Sequence, residues 1–213
     1  MTDGEQPDQS SLRAALEAAI LHHDRVGAVR LAHDAIDDGS TSIESLYNLL
    51  SEMLVDIGDR WQRGTVEVWQ EHLASGIVRS IVESTALAVD RAAPKTREAT
   101  VILASPTEEY HDLGLRMLSD RFVLAGWRAH FLGADVPLPQ LVAAVQTLGP
   151  DAVALSASTH YHRVTVGRYV SELSESFPHL SVWVGGPAFA LDQDGWPPGM
   201  ILDPRHIPTP GQG

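Results

Sequence analysis

The sequence of 213 residues contains no cysteine and few aromatic residues, which make up 6% of the chain. Without cysteine the protein has neither disulfide bonds nor thiolate metal ligands, and this composition suits a reducing compartment, so we expect a cytoplasmic location. No stretch approaches the roughly 18 consecutive apolar residues that a membrane-spanning helix needs, and no signal peptide is recognisable. We therefore expect a soluble protein without a membrane partner.

Basic residues are also scarce. The 15 Lys and Arg residues are outnumbered by 28 Asp and Glu residues, which gives a formal net charge of −13 at pH 7. Binding to a nucleic-acid backbone requires clustered basic side chains, so we expect no direct DNA binding by this chain. The sequence also contains no Ser-His-Asp arrangement, Walker loop or Rossmann Gly-x-Gly-x-x-Gly motif, and we expect no enzymatic activity.

The N-terminal half carries a helical pattern. Residues 1–10 are polar and are predicted to be disordered. In residues 11–93, apolar side chains recur at helical spacing in segments that short connections separate. The last of these helices is predicted to run without a break from about Val66 to Ala92, with Leu73 and Leu87 on its apolar side. The pattern predicts a four-helix bundle.

The pattern changes after a short linker. Residues 97–206 alternate apolar, β-branched segments with helical ones. The predicted strands are 99–104, 128–132, 151–156 and 181–184, and the predicted helices are 111–126, 139–148 and 163–177. This alternation predicts a flavodoxin-like domain, in which helices cover both faces of a parallel sheet. Residues 207–213 are predicted to form a tail.

A Glu-x-His-x-x-Gly motif, from Glu109 through His111 to Gly114, follows the first predicted strand. A carboxylate two residues before an imidazole can hold one ring N–H, which fixes the tautomer and makes the other nitrogen a better metal ligand. The alternative is a solvated polar pair. Ser156 and the Gly185-Gly186 pair end other predicted strands, and the carboxyl ends of parallel strands meet at one edge of a sheet. We therefore expect these groups to converge.

The order of Glu-x-His-x-x-Gly, Ser156-x-Ser158 and Gly-Gly resembles the cobalamin-binding domain of methionine synthase, mutases and corrinoid proteins. The resemblance implies that His111 is the lower axial ligand of cobalt and that Ser156 bonds the displaced nucleotide tail, which runs against the glycines. Two positions depart from the family pattern: Glu109 stands where Asp is commoner, and Ser158, which we expect to contact the tail, stands where Leu is frequent. An ordinary flavodoxin-like domain with an incidental histidine remains the alternative.

A second motif lies in the helical half, where Trp61 is followed after nine residues by Glu71-His72. This spacing resembles CarH-type photoreceptors that depend on adenosylcobalamin. The resemblance implies that the bundle caps the upper face of the corrin, with Trp61 over the adenosyl group and Glu71 and His72 in contact with it. Val68 is expected to pack against the same ligand. The alternatives are a core-closing Trp and a solvent-facing Glu-His pair.

Two further departures bear on signalling. In this family the residue after the Trp can be a His that binds cobalt once light has cleaved the cobalt–carbon bond, and here that residue is Gln62. A glutamine amide is a poor cobalt ligand, so the resemblance leaves water or His72 as the upper ligand after cleavage. Nothing before Ser11 resembles a helix-turn-helix. We therefore expect a homo-oligomer in the dark that signals by its oligomeric state or through a separate regulatory protein.

Three functions remain open. They are an adenosylcobalamin-binding light sensor, a corrinoid carrier of a methyltransferase system, and a cobalamin-binding regulator or store without photochemistry. Trp61 favours the light sensor, because a methyl carrier must leave its upper face open to a partner. The His160-x-His162 pair is interpreted as part of a loop, with no role in the site.

Overall fold

The computed structural model of the protein describes residues 9–190, 195–197 and 199–210. The described residues fold as two compact units, which divide between Val89 and Asp90. Residues 1–8 of the segment predicted to be disordered lie outside the described residues. Residues 9 and 10 belong to the first helix, so the prediction of disorder is wrong for these two positions.

Helices make up the first unit, as the sequence predicts. Local side chains set where two of them begin: the Asp24 carboxylate accepts a 2.8 Å hydrogen bond from the N–H of Gly27, and the Ser42 hydroxyl accepts one of 3.1 Å from the N–H of Ser45. Such caps satisfy amides that have no partner within the helix. The helices are α1 (Gln9–Leu21), α2 (Arg25–Asp37), α3 (Ile43–Gln62), α4 (Val68–Ser84) and α5 (Ala86–Ala92).

The predicted unbroken helix from Val66 to Ala92 is divided at Thr85. The Thr85 hydroxyl donates to the Val82 carbonyl at 2.8 Å and lies 2.7 Å from the buried Tyr47 hydroxyl. A hydroxyl that bonds the preceding turn competes with the regular helical hydrogen bonds, so α4 ends here and α5 begins separately. Beyond this break Leu87 is 75% exposed, which corrects its predicted place on the apolar side.

The buried face of α4 is narrower than the sequence suggests. Leu73 is exposed because it precedes the buried stripe by one residue, a rotation of about 100° around the helix. Val68, in the first turn, is 49% exposed. The buried residues of α4 are Ala74, Ile77, Val78, Ile81 and Val82.

The second unit alternates strands and helices and contains the predicted parallel sheet. Within the described residues the sheet has four strands in the order β2-β1-β3-β4, and each neighbouring pair is parallel. The chain therefore steps from β1 to β2 on one side and then to β3 on the other side of β1. The elements are β1 (Ala99–Pro106), α6 (Leu113–Leu124), β2 (Trp127–Val136), α7 (Leu138–Leu148), β3 (Ala152–Ser156), α8 (His160–Ser176), β4 (Ser181–Gly185) and α9 (Pro187–Ala190).

The central strand β1 is buried along its whole length, and successive side chains enter opposite cores. Val101 and Leu103 belong to a cluster that contains Phe122 of α6. Ile102 and Ala104 belong to the other cluster, together with residues of α7 and α8. This two-sided burial confirms the predicted helix–sheet–helix layering.

Two helix boundaries differ from the prediction near the ends of β1 and β3. Helix α6 begins at Leu113 rather than at His111, because the His111 N–H donates to the Glu109 carboxylate instead of entering a helical turn. Helix α8 begins at His160, three residues earlier than predicted, because the Thr159 side chain caps it. His111 therefore lies in a loop, whereas His162 lies in the first turn of a helix.

The closing segment returns to the sheet. Ile201 forms a parallel bridge with Val184, and the Trp127 indole N–H donates to the Pro208 carbonyl at 2.6 Å. Residues 207–210 of the predicted tail are thus fixed against the second unit, and residues 211–213 lie outside the described chain. Within the described residues, no helix has the length and apolar content required to cross a membrane.

Candidate functional site

The candidate site lies where β1 and β3 end side by side. These strands are hydrogen-bonded neighbours, and the chain changes direction across the sheet between them. In open parallel sheets such a reversal leaves a crevice at the carboxyl ends of the strands, where ligands bind. The loop after β1 carries Glu109 and His111, and the loop after β3 carries Ser158.

Glu109 is the centre of the site and is completely buried. One carboxylate oxygen, Oε1, accepts the His111 backbone N–H at 2.9 Å and lies 2.8 Å from Nδ1 of the His111 ring. The other oxygen, Oε2, accepts the backbone N–H and the hydroxyl of Ser158 at 2.7 and 2.6 Å. Burial alone would raise the pKa of the Glu109 carboxyl, but the hydrogen bonds from Ser158 and His111 lower it below its ordinary value. The carboxylate is therefore ionised at neutral pH.

His111 presents its ring outward from this buried anchor. Its side chain is 77% exposed, while Nδ1 faces the Glu109 carboxylate. An ionised carboxylate only accepts hydrogen bonds, so Nδ1 carries the ring proton and Nε2 carries the lone pair. A neutral imidazole oriented in this way has the tautomer that metal ligation requires. The structure thus brings Glu109, His111 and Ser158 together.

The loop that holds Glu109 is supported by Asp135, which the sequence analysis did not identify. Glu108 and Asp135 both have positive φ angles, 67° and 52°. The Glu108 N–H donates to the Asp135 carboxylate at 2.8 Å, and the Asp135 N–H donates to the Glu109 carbonyl at 3.0 Å. Asp is one of the few residues that tolerates this backbone region. Its position at the end of β2 was the only signal in the sequence.

His162 was interpreted as part of an uninvolved loop pair, and the structure corrects this. Its side chain is only 12% exposed, and Nδ1 lies 2.8 Å from Oε2 of Glu109. The cap at Thr159 places residue 162 in the first turn of α8, which turns the ring toward the end of β1. The available sequence signal was that His162, like Ser156, follows the carboxyl end of a strand. His160 stands at the exposed start of the same helix.

The remaining predicted residues of this unit are Ser156, Gly114, Gly185 and Gly186, and Gly186 packs closely against the end of β3. A Cβ on Gly186, which has a φ of 95°, would lie 2.5 Å from the Ala157 carbonyl oxygen and 2.8 Å from the Ser156 hydroxyl. Only glycine fits at this position. At Gly114, by contrast, a Cβ would meet no described atom within 4 Å. Gly185 and Gly186 also border a cleft of about 480 Å³, together with Phe189, Ile201 and Leu202.

The predicted residues of the first unit lie on or near its surface. Trp61, near the end of α3, is 47% exposed and is therefore not buried in a core of this unit. In α4, Glu71 is partly buried; its oxygens contact Nδ1 of His72 at 2.5 Å and accept the Ser75 hydroxyl at 2.7 Å. Val68 precedes them by about one turn. The Glu-His pair is thus hydrogen-bonded internally.

Family models match both units. A model described as a B12 binding domain matches residues 99–200, and a second model with the same description matches residues 12–84. The first range includes Glu109, His111 and Ser158. The second includes Trp61 and Glu71.

Two curated relatives are regulators from Myxococcus xanthus. The chain is 33% identical over 187 residues to the HTH-type transcriptional repressor CarH, a match that covers 86% of this chain and 60% of that protein. It is 31% identical over 157 residues to the HTH-type transcriptional repressor CarA, which covers 71% of this chain and 50% of that protein. The chain thus spans between half and three fifths of the length of these relatives.

A solved structure shares the fold over nearly the whole chain. The monomethylamine corrinoid protein of Methanosarcina barkeri matches with a TM-score of 0.75 and 19% identity, covering 92% of each chain. This likeness confirms the fold class, a helical unit followed by a parallel-sheet unit.

Proposed function

We propose that this chain, which belongs to the B12-binding domain proteins, is a light sensor that binds adenosylcobalamin and changes its oligomeric state or its partner binding in light. Two observations carry the proposal: Trp61 is half exposed in its own unit, and the Glu109 carboxylate already orients the His111 ring. The exposed Trp61 ring is available to contact a bulky upper ligand of cobalt, and the oriented His111 ring suits the lower ligand position. The identity with CarH over 86% of the chain supports the same proposal.

The chain's own residues fit such a cofactor. His111 offers one imidazole nitrogen, which suits a cobalt ion whose other in-plane ligands belong to a corrin. Glu109 and Ser158 keep that imidazole in the required tautomer. Gly185 and Gly186 border the cleft that would take the nucleotide tail, and Ser156, which lies against Gly186, would offer its hydroxyl to that tail. Bound adenosylcobalamin supplies the visible absorption and the light-sensitive cobalt–carbon bond.

In the first unit, Trp61 and Val68 offer apolar surface to the adenosyl group, and Glu71 offers acceptor oxygens to its ribose hydroxyls. His72 holds one of these oxygens and thereby orients the carboxylate. We infer that loss of the adenosyl group changes the environment of these residues, and that this change is the signal. The output is a change in self-association or in the binding of a separate regulatory protein.

The test is absorbance spectroscopy and size-exclusion chromatography of protein loaded with adenosyl-, methyl- or hydroxocobalamin, before and after green light. We expect selective retention of adenosylcobalamin and a light-dependent change in elution. Trp61→Ala should abolish the preference for the adenosyl form. Trp69→Ala, which removes another exposed Trp outside the predicted contact set, is the matched control and should keep it. Identical elution in dark and light, together with equal affinity for all three cofactors, would refute the light sensor.

The second candidate is a corrinoid carrier of a methyltransferase system. It is favoured by the fold shared with the Methanosarcina barkeri monomethylamine corrinoid protein over 92% of both chains. A carrier should bind methylcobalamin at least as well as adenosylcobalamin and should donate the methyl group to a partner enzyme. Tight but light-insensitive adenosylcobalamin binding would instead indicate a regulator or store without photochemistry.

A further inference from the structure

The cleft of about 480 Å³ at the end of β4 combines an apolar lining with a charged pair. Phe189, Ile201 and Leu202 contribute apolar side chains to it. Among the described residues that line it, Asp203 and Arg205 are the charged ones. Ligand sites of this kind use apolar walls for affinity and a few placed polar groups for specificity. The lining therefore suits a ligand that carries both an apolar ring and an anionic group.

The segment that carries Arg205 is fixed to the sheet unit on both of its sides. The Leu202 N–H donates to the Val184 carbonyl of β4 at 2.9 Å, and the Arg121 guanidinium of α6 donates to the Pro204 carbonyl at 3.3 Å. These bonds hold the backbone immediately before Arg205 against the sheet and against a helix. The position of Arg205 beside the cleft is therefore set by the fold.

Asp203 fixes the direction of the Arg205 guanidinium. Nε donates to Oδ1 and Nη2 donates to Oδ2, each at 3.0 Å, and the Arg205 backbone N–H also donates to Oδ1 at 3.0 Å. This fork uses two of the five guanidinium N–H groups. No described residue accepts a hydrogen bond from the others, and the side chain is 72% exposed. Arg205 thus has oriented N–H groups left for an anion that reaches the cleft.

We propose that Arg205 is a specificity-determining residue that binds the phosphodiester in the nucleotide tail of cobalamin. The tail carries an apolar benzimidazole base and an anionic phosphodiester, which match the apolar lining and the guanidinium. Arginine binds phosphate oxygens through paired, charge-assisted N–H bonds, which are stronger than neutral ones. This inference rests on the proposed binding of adenosylcobalamin with its nucleotide tail in the cleft.

The charge of the chain gives this cation its importance. With a formal net charge of −13, the protein as a whole repels an anionic group. A guanidinium that is already oriented beside the cleft offsets this repulsion at the place where the phosphodiester would lie. Arg205 therefore favours corrinoids that carry the phosphate over those that lack it.

The test compares the full chain with variants at Arg205. Arg205→Gln removes the charge but keeps an amide that can still bond Asp203, and Arg205→Lys keeps the charge. Arg97→Gln is the matched control, because Arg97 is also paired with an aspartate, Asp90, at 2.6 Å. Arg97 precedes β1 and so lies at the opposite end of the strands from the cleft. Circular dichroism and thermal unfolding first establish that the variants fold.

Equilibrium dialysis in the dark measures the affinity of each form for adenosylcobalamin and for adenosylcobinamide, which lacks both the phosphate and the base. In Arg205→Gln we expect the affinity for adenosylcobalamin to fall about tenfold, the lower end of what a hydrogen bond to a charged group contributes. The affinity of the same variant for adenosylcobinamide should not change. Arg205→Lys should lose less affinity than Arg205→Gln, and Arg97→Gln should bind both ligands like the wild type.

Adenosylcobinamide phosphate, which carries the phosphate without the base, separates the two parts of the tail. Its affinity should also fall in Arg205→Gln, because the guanidinium is expected to contact the phosphate and not the base. Equal losses for adenosylcobalamin and adenosylcobinamide would show that Arg205 only stabilises the cleft and would overturn the proposal. Unchanged binding of adenosylcobalamin by Arg205→Gln would overturn it as well. Failure of the wild type to bind adenosylcobalamin would refute the proposed cofactor instead.

Discussion

The two units of this protein differ in how their buried side chains are arranged. The sheet unit buries β1 on both faces, and its two clusters lie on opposite sides of the sheet. In the helical unit the buried residues of α4 form one stripe, and both units expose large apolar side chains, which in the helical unit include Trp61, Val68 and Trp69. Exposed apolar side chains that lie close together often mark a ligand or partner surface.

The candidate site residues differ in the same way. In the sheet unit, Glu109, His111 and Ser158 are linked to one another by hydrogen bonds. In the helical unit, the Trp61 side chain is about half exposed, and the ring of His72 is hydrogen-bonded to its neighbour Glu71. The site residues of the sheet unit are thus held in place by the protein's own hydrogen bonds, whereas Trp61 of the helical unit lies half exposed. Four predictions test this comparison.

The largest expected effect comes from truncating the two cores. Phe122→Ala in the sheet unit should lower the free energy of unfolding by about 3–5 kcal/mol and Leu50→Ala in the helical unit by about 2–5 kcal/mol, since both side chains are fully buried. Hydrogen exchange followed by mass spectrometry should localise each loss of protection to the mutated unit. If Phe122→Ala reduced the hydrogen-exchange protection of both units equally, the two units would unfold together rather than independently. Leu87→Ala, at an exposed site, is the control.

The next effect is expected from the hydrogen bond between Tyr47 and Thr85 together with the loop of the sheet unit, of which the loop should give the larger change. For the hydrogen bond, which accompanies the break between α4 and α5, a double-mutant cycle of Tyr47→Phe and Thr85→Val should give a coupling free energy of about 0.5–1.5 kcal/mol in urea unfolding. Coupling close to zero would mean that the contact does not stabilise the helical unit. Ser80→Ala, which removes a hydroxyl that bonds the backbone of its own helix, is the control.

The larger of these two effects is expected in the loop of the sheet unit. Asp135→Ala removes the acceptor for the Glu108 N–H and leaves a non-glycine residue at positive φ, so it should cost about 1–3 kcal/mol and broaden the NMR signals of His111. Asp135→Asn keeps an acceptor oxygen and tolerates this conformation, so it should cost less than half as much. Equal losses for the two variants would show that the carboxylate charge, rather than the turn, is what stabilises the loop.

The smallest expected effects are changes in thermal stability at acidic pH when Asp203 or Asp38 is replaced. The Arg205 side chain lowers the pKa of Asp203 in the sheet unit, and the Ser40 backbone N–H lowers the pKa of Asp38 in the helical unit. A lowered folded-state pKa contributes stability above the unfolded value of about 3.9, and this stability is lost as the pH falls toward the folded value. The window for this loss runs from about pH 4, near the unfolded-state pKa, down to about pH 2. The Asp203→Asn and Asp38→Asn variants should each lose slightly less thermal stability across this window than the wild type does.

Salt distinguishes these two carboxylates. The pKa of Asp203 is lowered mainly by hydrogen bonds from the Arg205 side chain and backbone N–H, and the charge of the exposed guanidinium adds an attraction that ions screen. The pKa of Asp38 is lowered by hydrogen bonds from Ser40, which carries no charge. High salt should therefore reduce the effect of Asp203→Asn more than that of Asp38→Asn. Equal salt dependence would contradict this assignment of causes.

Much of the fold was predictable because its signals are local. The change from helical to strand periodicity predicts the two units, and the caps observed at Asp24 and Ser42 use residue types that commonly begin helices. The break at Thr85 does not follow from the sequence pattern, because Thr also occurs within helices and the Tyr47 hydroxyl that contacts its side chain lies 38 residues away. The start of α8 was misplaced because two histidines after a strand look like a loop until Thr159 is known to cap them.

The sequence by itself determined the order of the two units, the parallel sheet, and the placing of Glu109, His111 and Ser156 at strand ends. These features follow from periodicity and from the rule that parallel strands share an edge. Only the tertiary structure decided that Ser158 bonds the Glu109 carboxylate, that the His162 ring lies beside it, and that Asp135 holds its loop. The Ser158 contact joins residues 49 positions apart. Such contacts depend on which strands become neighbours and on the rotation of each helix, and sequence spacing encodes neither.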